Sequence, residues 1–460
     1  MSNQKYLMDD APLNKFHLRI TALTFGSNFS DGFALGIIGM ALSLLGPEMK
    51  LGPIWEGLIG SSALIGLFFG SLFLGGLSDR IGRQKIYLAN FLIITVASAL
   101  QFFVHDPWTL FILRLLIGIA LGGDYAVGST LLAEFSPRKY RGLLLSSLNV
   151  LWTVGYVVSN IVGFYLQKSG PDSWRWMLVS AAIPAFIVLI LRIGTPESPL
   201  WLLKMGRVEE ARAIVRKYIG PNAILDETIK ENSKTAFRMV DLFSKHLWKR
   251  TTFGSLFYLC QVVPYFAIYT FLPTILSKMG FEETFSVDMQ LNIFLLVGSI
   301  VGVWCTEKLT RRSFTISTFI ILTISLFMLS VWPKDSQTLA IIIFATFTFV
   351  MSAASNLTLV YPAELFPTEI RGTGVGVTTA VSRIGSAIGT FLLPVSVSSW
   401  GMGPSMIAMS VILLIGTIVS IAWAPETKFL SISDVNKPEL ETGNSHIEID
   451  SSFSNNRNIL

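Results

Sequence analysis

The chain has 460 residues, of which 52% are hydrophobic and only 14% charged, and its mean hydropathy is +0.59. A soluble domain averages about 25% charged residues because it must cover itself with groups that water solvates, so an ordinary soluble globule is excluded. The net charge of +5 is better read as loop charge that orients membrane spans than as a nucleic-acid footprint.

The first 20 residues carry Asp9, Asp10, Lys15, His17 and Arg19 and lack a cleavable apolar core, so the first apolar span should be an uncleaved anchor. A helix needs about 20 apolar residues to cross a bilayer. Twelve such stretches follow in chain order, at 18–46, 55–77, 86–104, 108–133, 144–167, 175–194, 252–279, 288–306, 313–331, 337–360, 373–398 and 402–423. The long charged connection 195–251 reads as a cytosolic linker with one short amphipathic helix near 199–218, and the Asn-, Ser- and Glu-rich tail 427–460 as disordered. Cys260 and Cys305 both fall inside apolar stretches, and neither a disulfide nor a metal site is expected.

Lys and Arg set the orientation. One set of short loops holds Arg80, Arg83, Lys85, Arg138, Lys139, Arg141, Lys308, Arg311, Arg312 and Arg371, against Lys50, Lys168, Arg175, Lys278 and Lys334 in the other. Both termini should therefore be cytosolic.

Three segments recur at nearly one offset. GGLSDRIGRQK (75–85) answers to VWCTEKLTRRS (303–313), AEFSPRKYRG (133–142) to AELFPTEIRG (363–372), and TPES (195–198) to APET (424–427). The chain should thus be all-α, with twelve transmembrane helices in two pseudo-symmetric six-helix bundles: residues 1–194, then the linker 195–251, then 252–426, then the tail 427–460. Parallel repeats of six helices imply alternating access around a site near the bilayer centre.

The pattern Gly75, Asp79, Arg80, Gly82, Arg83 resembles the signature loop of the major facilitator superfamily. With Glu134–Arg141, PESPLWL (196–202) and PAELFPTEIRG (362–372) the likeness narrows to the sugar-porter-like branch, over about residues 18–427. LGGDYAVG (121–128) looks more like phosphate and metabolite:proton symporters. Helix 7 of hexose porters carries Gln-Gln-x-x-Gly-x-Asn. Here CQVVPYF (260–266) keeps only Gln261, which argues against a hexose.

Asp31, Arg114, Asp124 and Arg383 lie inside apolar spans. Each costs at least about 2.5–3.5 kcal/mol at the centre of a lone helix, so such residues face a cavity or pair. Arg114 and Asp124 share roughly one helix face, and Asp31 on the neighbouring helix is placed to reach Arg114. The resemblance implies proton coupling for Asp31, Arg114 and Asp124; a static ion pair is the bland alternative. Asp79, Arg80, Arg83, Glu134, Arg141 and Glu197 are expected to form a gating cluster in the first half, with Asp79 either accepting from backbone amides at a helix N-terminus or pairing with Arg141, and Glu307, Arg311, Glu364, Arg371 and Glu426 its repeat. Such bonds are expected only when the inner gate is shut; otherwise these residues simply anchor topology. Substrate contacts are expected from Gln261, Tyr125, Tyr265, Trp152, Tyr156, Asn356 and Arg383, although aromatic stripes more often serve packing.

These readings combine into secondary active transport of a small polar metabolite, with proton symport, the substrate being an organic acid, phosphate or a sugar or polyol. A facilitative uniporter is the alternative. The tail is short for a transporter-like sensor. No GxxxxGK[ST] loop supports ATP drive, and all four His residues lie outside the spans, so an enzyme is not expected. The expected partners are the solute, protons and the lipid bilayer, with no cofactor and no nucleic acid. A monomer in a bacterial inner membrane is expected.

Overall fold

The computed structural model describes residues 6–170, 172–225, 242–244, 247–281, 284–331, 337–366 and 370–428. Among these, twelve helices are long and apolar enough to cross a bilayer. They run Lys15–Glu48, Pro53–Ile81, Arg83–Phe103, Pro107–Phe135, Arg138–Ser169, Ser173–Arg192, Trp248–Thr270, Ser286–Lys308, Arg311–Ser330, Gln337–Pro362, Thr373–Trp400 and Met402–Trp423, and are called spans 1 to 12. Large apolar side chains such as Phe73, Leu92, Ile190, Ile324 and Ile418 stay exposed, as they must where the solvent is hydrocarbon.

Local chemistry ends and bends the helices where needed. At the start of span 1, the Asn14 side chain accepts the His17 amide at 3.0 Å while the His17 ring accepts the Asn14 amide at 3.1 Å, a reciprocal cap for two otherwise orphaned donors. Spans 2 and 3 are joined by one residue, Gly82, at φ +115°, a conformation that a side chain would strain. Span 7 breaks at Phe271 and resumes as Leu272–Lys278, so the expected 252–279 stretch is two helices.

Within the first half, small residues let backbones touch. A Cβ added at Gly32 of span 1 would sit 1.9 Å from the Trp152 carbonyl oxygen, and one at Gly155 of span 5 would sit 1.9 Å from the Phe29 carbonyl oxygen. This contact locks spans 1 and 5 beside Asp31 and Trp152. The two halves meet where span 2 packs on span 11 and span 5 on span 8.

The segment after span 6 corrects one expectation. Instead of a single helix over 199–218, it forms Pro199–Lys204 and Val208–Ile214, the latter ending in a wider turn to Ile219. Gly206, at φ +78°, breaks the run. The N-terminal segment is strapped to it: Tyr6 and Leu7 pair in parallel with Ala223 and Ile224, and the Asn14 amide donates to the carbonyls of Tyr218 and Ile219 at 2.9 and 3.0 Å. The membrane face bearing this segment is called the linker face. The expected tail from 429 on, and 226–241, lie outside the described residues.

Candidate functional site

A cavity of about 130 Å³ lies between the halves, with Asp31, Asp124 and Tyr125 on one side and Gln261, Tyr265 and Arg383 on the other. Gly32 and Gly155 hold Trp152 at its edge, and Asn28, Asn149 and Tyr258 also face it. Its polar groups are deeply buried: Asp31 is 1% exposed, Asp124 2%, Gln261 2% and Arg383 6%. Both atoms of the Gln261 amide, Nε of Arg383 and Nε1 of Trp152 lack a hydrogen-bond partner among the described residues. Buried polar groups are ordinarily paired, so the unpaired ones around this void mark it as the candidate binding site.

The Asp31 and Asp124 carboxyl groups stand side by side, with the hydroxyls of Ser27 and Tyr87 next to Asp124. The expected link from Asp31 to Arg114 is not made. Arg114 is fully buried, donates from Nη1 to the Ala34 carbonyl at 3.1 Å, and makes no salt bridge among the described residues. Ala34 lies nearly one turn beyond Asp31, so the register of spans 1 and 4 brings Asp124, not Arg114, to the Asp31 carboxyl. The cation whose charge reaches Asp124 is Arg192 at the end of span 6. It lies 3.6 Å from the Tyr87 ring centroid and donates to the Thr24 hydroxyl at 2.9 Å.

Tyr156 and Asn356 are not in the cavity wall; each joins the halves at one end of it. Toward the linker face, the Asn149 side-chain amide donates to the Ser355 hydroxyl at 3.0 Å and to the Asn356 side-chain oxygen at 3.2 Å. Beyond this bridge opens a cleft of about 370 Å³ with Ser146, Glu307, Arg311 and Glu364 on its walls. Toward the opposite face, the Tyr156 hydroxyl donates to the Tyr269 carbonyl at 3.0 Å, and Asn160 reaches Asn292 at 3.4 Å. Asn292 in turn donates to the buried Asp288 carboxylate at 3.3 Å. Sequence reasoning missed Asp288, Asn149, Tyr258 and Arg192. Asp288 and Arg192 sit at the edges of apolar stretches, where a charge reads as a boundary.

On the linker face each half carries the same wiring. Arg83 pairs with Glu134 and lies 3.7 Å from Asp79. Glu197 accepts the Arg83 and Gln84 amides at about 3.1 Å, a carboxylate seated on the N-terminus of span 3, and Ser198 donates to Glu134. In the second half Arg311 grips Glu364 with two bonds of 3.1 Å. Glu426 accepts the Arg311 and Arg312 amides at 3.0 and 3.1 Å, and Thr427 donates to Glu364 at 2.6 Å. Arg141 departs from expectation: it binds Asp9 at 2.9 Å and the Ser136 carbonyl at 3.1 Å rather than Asp79, because the N-terminal strap brings Asp9 over it. Arg80 and Glu307 are exposed and form no ion pair among the described residues. The side chain of Arg371 is outside them. Both clusters are made within one half while the cleft between the halves stands open, so they do not require the halves to close here.

Twelve spans in two matched bundles around a central cavity define a transporter of the major facilitator type. Residues 21–437 match the family described as "Sugar (and other) transporter", and the chain belongs to it. It is 49% identical over 433 residues to the inner membrane metabolite transport protein YgcS of Escherichia coli K12, covering 94% of this chain and 96% of that one. It is 28% identical over 426 residues to the arabinose-proton symporter of Bacillus subtilis 168, covering 88% and 91%. Its fold matches the inward-open structure of the xylose transporter XylE from E. coli at a TM-score of 0.77 and 19% identity, over 91% of this chain and 99% of that one. The chain is an integral membrane transporter, not an enzyme.

Proposed function

We propose that the protein is a proton-coupled symporter that moves a small polar metabolite by alternating access, with the linker face cytosolic. The observation that carries this is the carboxyl pair Asp31 and Asp124 in the wall of the inter-half cavity. Two carboxylates sharing a buried site repel strongly. A proton held between them relieves the repulsion, and its loss re-imposes it. A solute in the same cavity therefore meets two electrostatic states of one wall. Opening of the cleft toward the linker face, and of the Tyr156–Tyr269 layer toward the other, supplies the two access routes. Support also comes from the arabinose-proton symporter among the relatives, and YgcS supports placement in a bacterial inner membrane. On this reading the inner clusters on Arg83 and Arg311 brace the ends of the spans that must move together.

The test is uptake into proteoliposomes with a proton-sensitive dye inside. Symport expects solute entry to acidify the lumen beyond protein-free vesicles, and an imposed pH gradient to drive accumulation above equilibrium. Facilitative uniport expects solute equilibration with no proton movement, which would refute the proposal.

A further inference from the structure

We infer that the transported solute is a monocarboxylate built on a single planar ring, held with its carboxylate on Arg383 and its ring among Trp152, Tyr258, Tyr265 and Phe266. The inference rests on the cavity being the transport site.

Arg383 lines the cavity, is 6% exposed, leaves Nε unpaired and forms no salt bridge among the described residues. Its guanidinium lies 5.2 Å from the Tyr125 ring centroid and 6.0 Å from that of Tyr258. Ring faces attract a cation but do not neutralise it. A buried cation without a counter-charge is expensive, and of the two cavity acids, across on the first half, Asp124 faces its own cation, Arg192, while Asp31 stands against Asp124. A bound carboxylate would complete Arg383 with the paired geometry guanidinium favours. A neutral sugar would leave the charge uncompensated whenever the cavity closed.

The wall chemistry narrows the anion. Trp152 stands 6.2 Å from Tyr265 and 6.3 Å from Phe266, the latter pair at 89°, and Tyr265 lies 5.2 Å from Phe266. Edges and faces set at these angles complement another flat ring. Inorganic phosphate would waste the aromatic wall and bring more negative charge than one free arginine can balance beside two acids. Size sets an upper limit: a cavity of about 150 Å³ holds one benzene ring, so one of about 130 Å³ has no room for a second ring. The unpaired Gln261 amide and Trp152 Nε1 can serve the second carboxylate oxygen or a ring heteroatom.

The experiment compares acids with their neutral isosteres on the purified full-length protein, by tryptophan-fluorescence titration and thermal shift. Benzoate and nicotinate are set against benzamide, nicotinamide, acetate and D-xylose. The acid of at least one pair is expected to bind about tenfold or more tighter than its amide, and more tightly than acetate or D-xylose. Arg383→Gln should erase the acid-over-amide preference, and Trp152→Leu should weaken the acids toward acetate. Equal binding of acid and amide by the wild-type protein, tighter binding of D-xylose, or no binding of either acid overturns the inference without recourse to any variant. Proteoliposome uptake then separates the two readings. Aromatic-acid uptake without lumen acidification beyond protein-free vesicles would retain this inference and remove proton symport. D-xylose uptake with acidification would do the reverse.

Discussion

The two halves are alike at the linker face and unlike at the cavity. At the linker face, Arg83, Glu134, Glu197 and Ser198 are matched one for one by Arg311, Glu364, Glu426 and Thr427, down to the carboxylate seated on the next helix's first amides. At the cavity, the first half supplies two acids, Asp31 and Asp124, while the second supplies Arg383 and the Gln261 amide. Bracing the ends of three spans poses the same problem in both bundles and receives the same answer. Binding one solute between the bundles poses it once, so each half is free to bring a different group. A symmetric scaffold thereby carries a polar, directional site.

The sharpest break of that comparison is Asp31→Asn. Uphill accumulation in proteoliposomes should fall to the level of protein-free vesicles, while counterflow exchange persists. Equal loss of both would show that Asp31 holds the fold or the solute and does not serve coupling. Next come the matched braces. Removing one partner of a buried ion pair costs about 3 kcal/mol or more, and an exposed pair contributes at most about 1 kcal/mol. The side chain of Glu134 is 12% exposed and that of Glu364 29%, so Glu134→Gln should lower the thermal unfolding temperature more than Glu364→Gln. Equal shifts would mean the halves are energetically as alike as their wiring.

A smaller effect tests the boundary between cavity and cleft. Asn149→Ala removes the bridge to Ser355 and Asn356 and should speed modification of a cysteine placed at Trp152 by a reagent applied from the linker face, severalfold over the same cysteine with Asn149 intact. No change in rate would place the barrier elsewhere. Orientation is checked by single cysteines at Lys168 and Lys217 in intact cells, where only the former should react with an impermeant reagent. The smallest effect belongs to Arg207→Ala. This exposed group holds the Glu210 carboxyl below its ordinary range through a direct hydrogen bond. A depressed carboxylate stabilises above its unfolded pKa and loses that contribution as pH falls through the folded one. Solvent screening makes the contribution slight, so unfolding at neutral pH should not change measurably.

Much of the molecule was legible in the chain. Twelve apolar stretches had to be spans because hydrocarbon tolerates few other solutions. Three repeated segments revealed the duplication, because a carboxylate on a helix N-terminus and an arginine beside it need the same few residues each time. Asp31, Asp124 and Arg383 stood out by their cost, whereas Asp288, at the edge of its apolar stretch, did not. What one strand of letters could not contain was register between helices. Period alone says that Arg114 and Asp124 share a face, but only the packing of Gly32 against Trp152, and the relative heights of spans 1 and 4, decided that Asp31 meets Asp124 while Arg114 turns to the Ala34 carbonyl. Tertiary structure likewise moved Tyr156 and Asn356 out of the cavity into the contacts that bound it, and gave Arg141 to Asp9. Local composition determines what a segment is made to lie in. Distances of a few ångströms between segments far apart in the chain determine which charge answers which, because electrostatic and hydrogen-bond energies fall off over that scale.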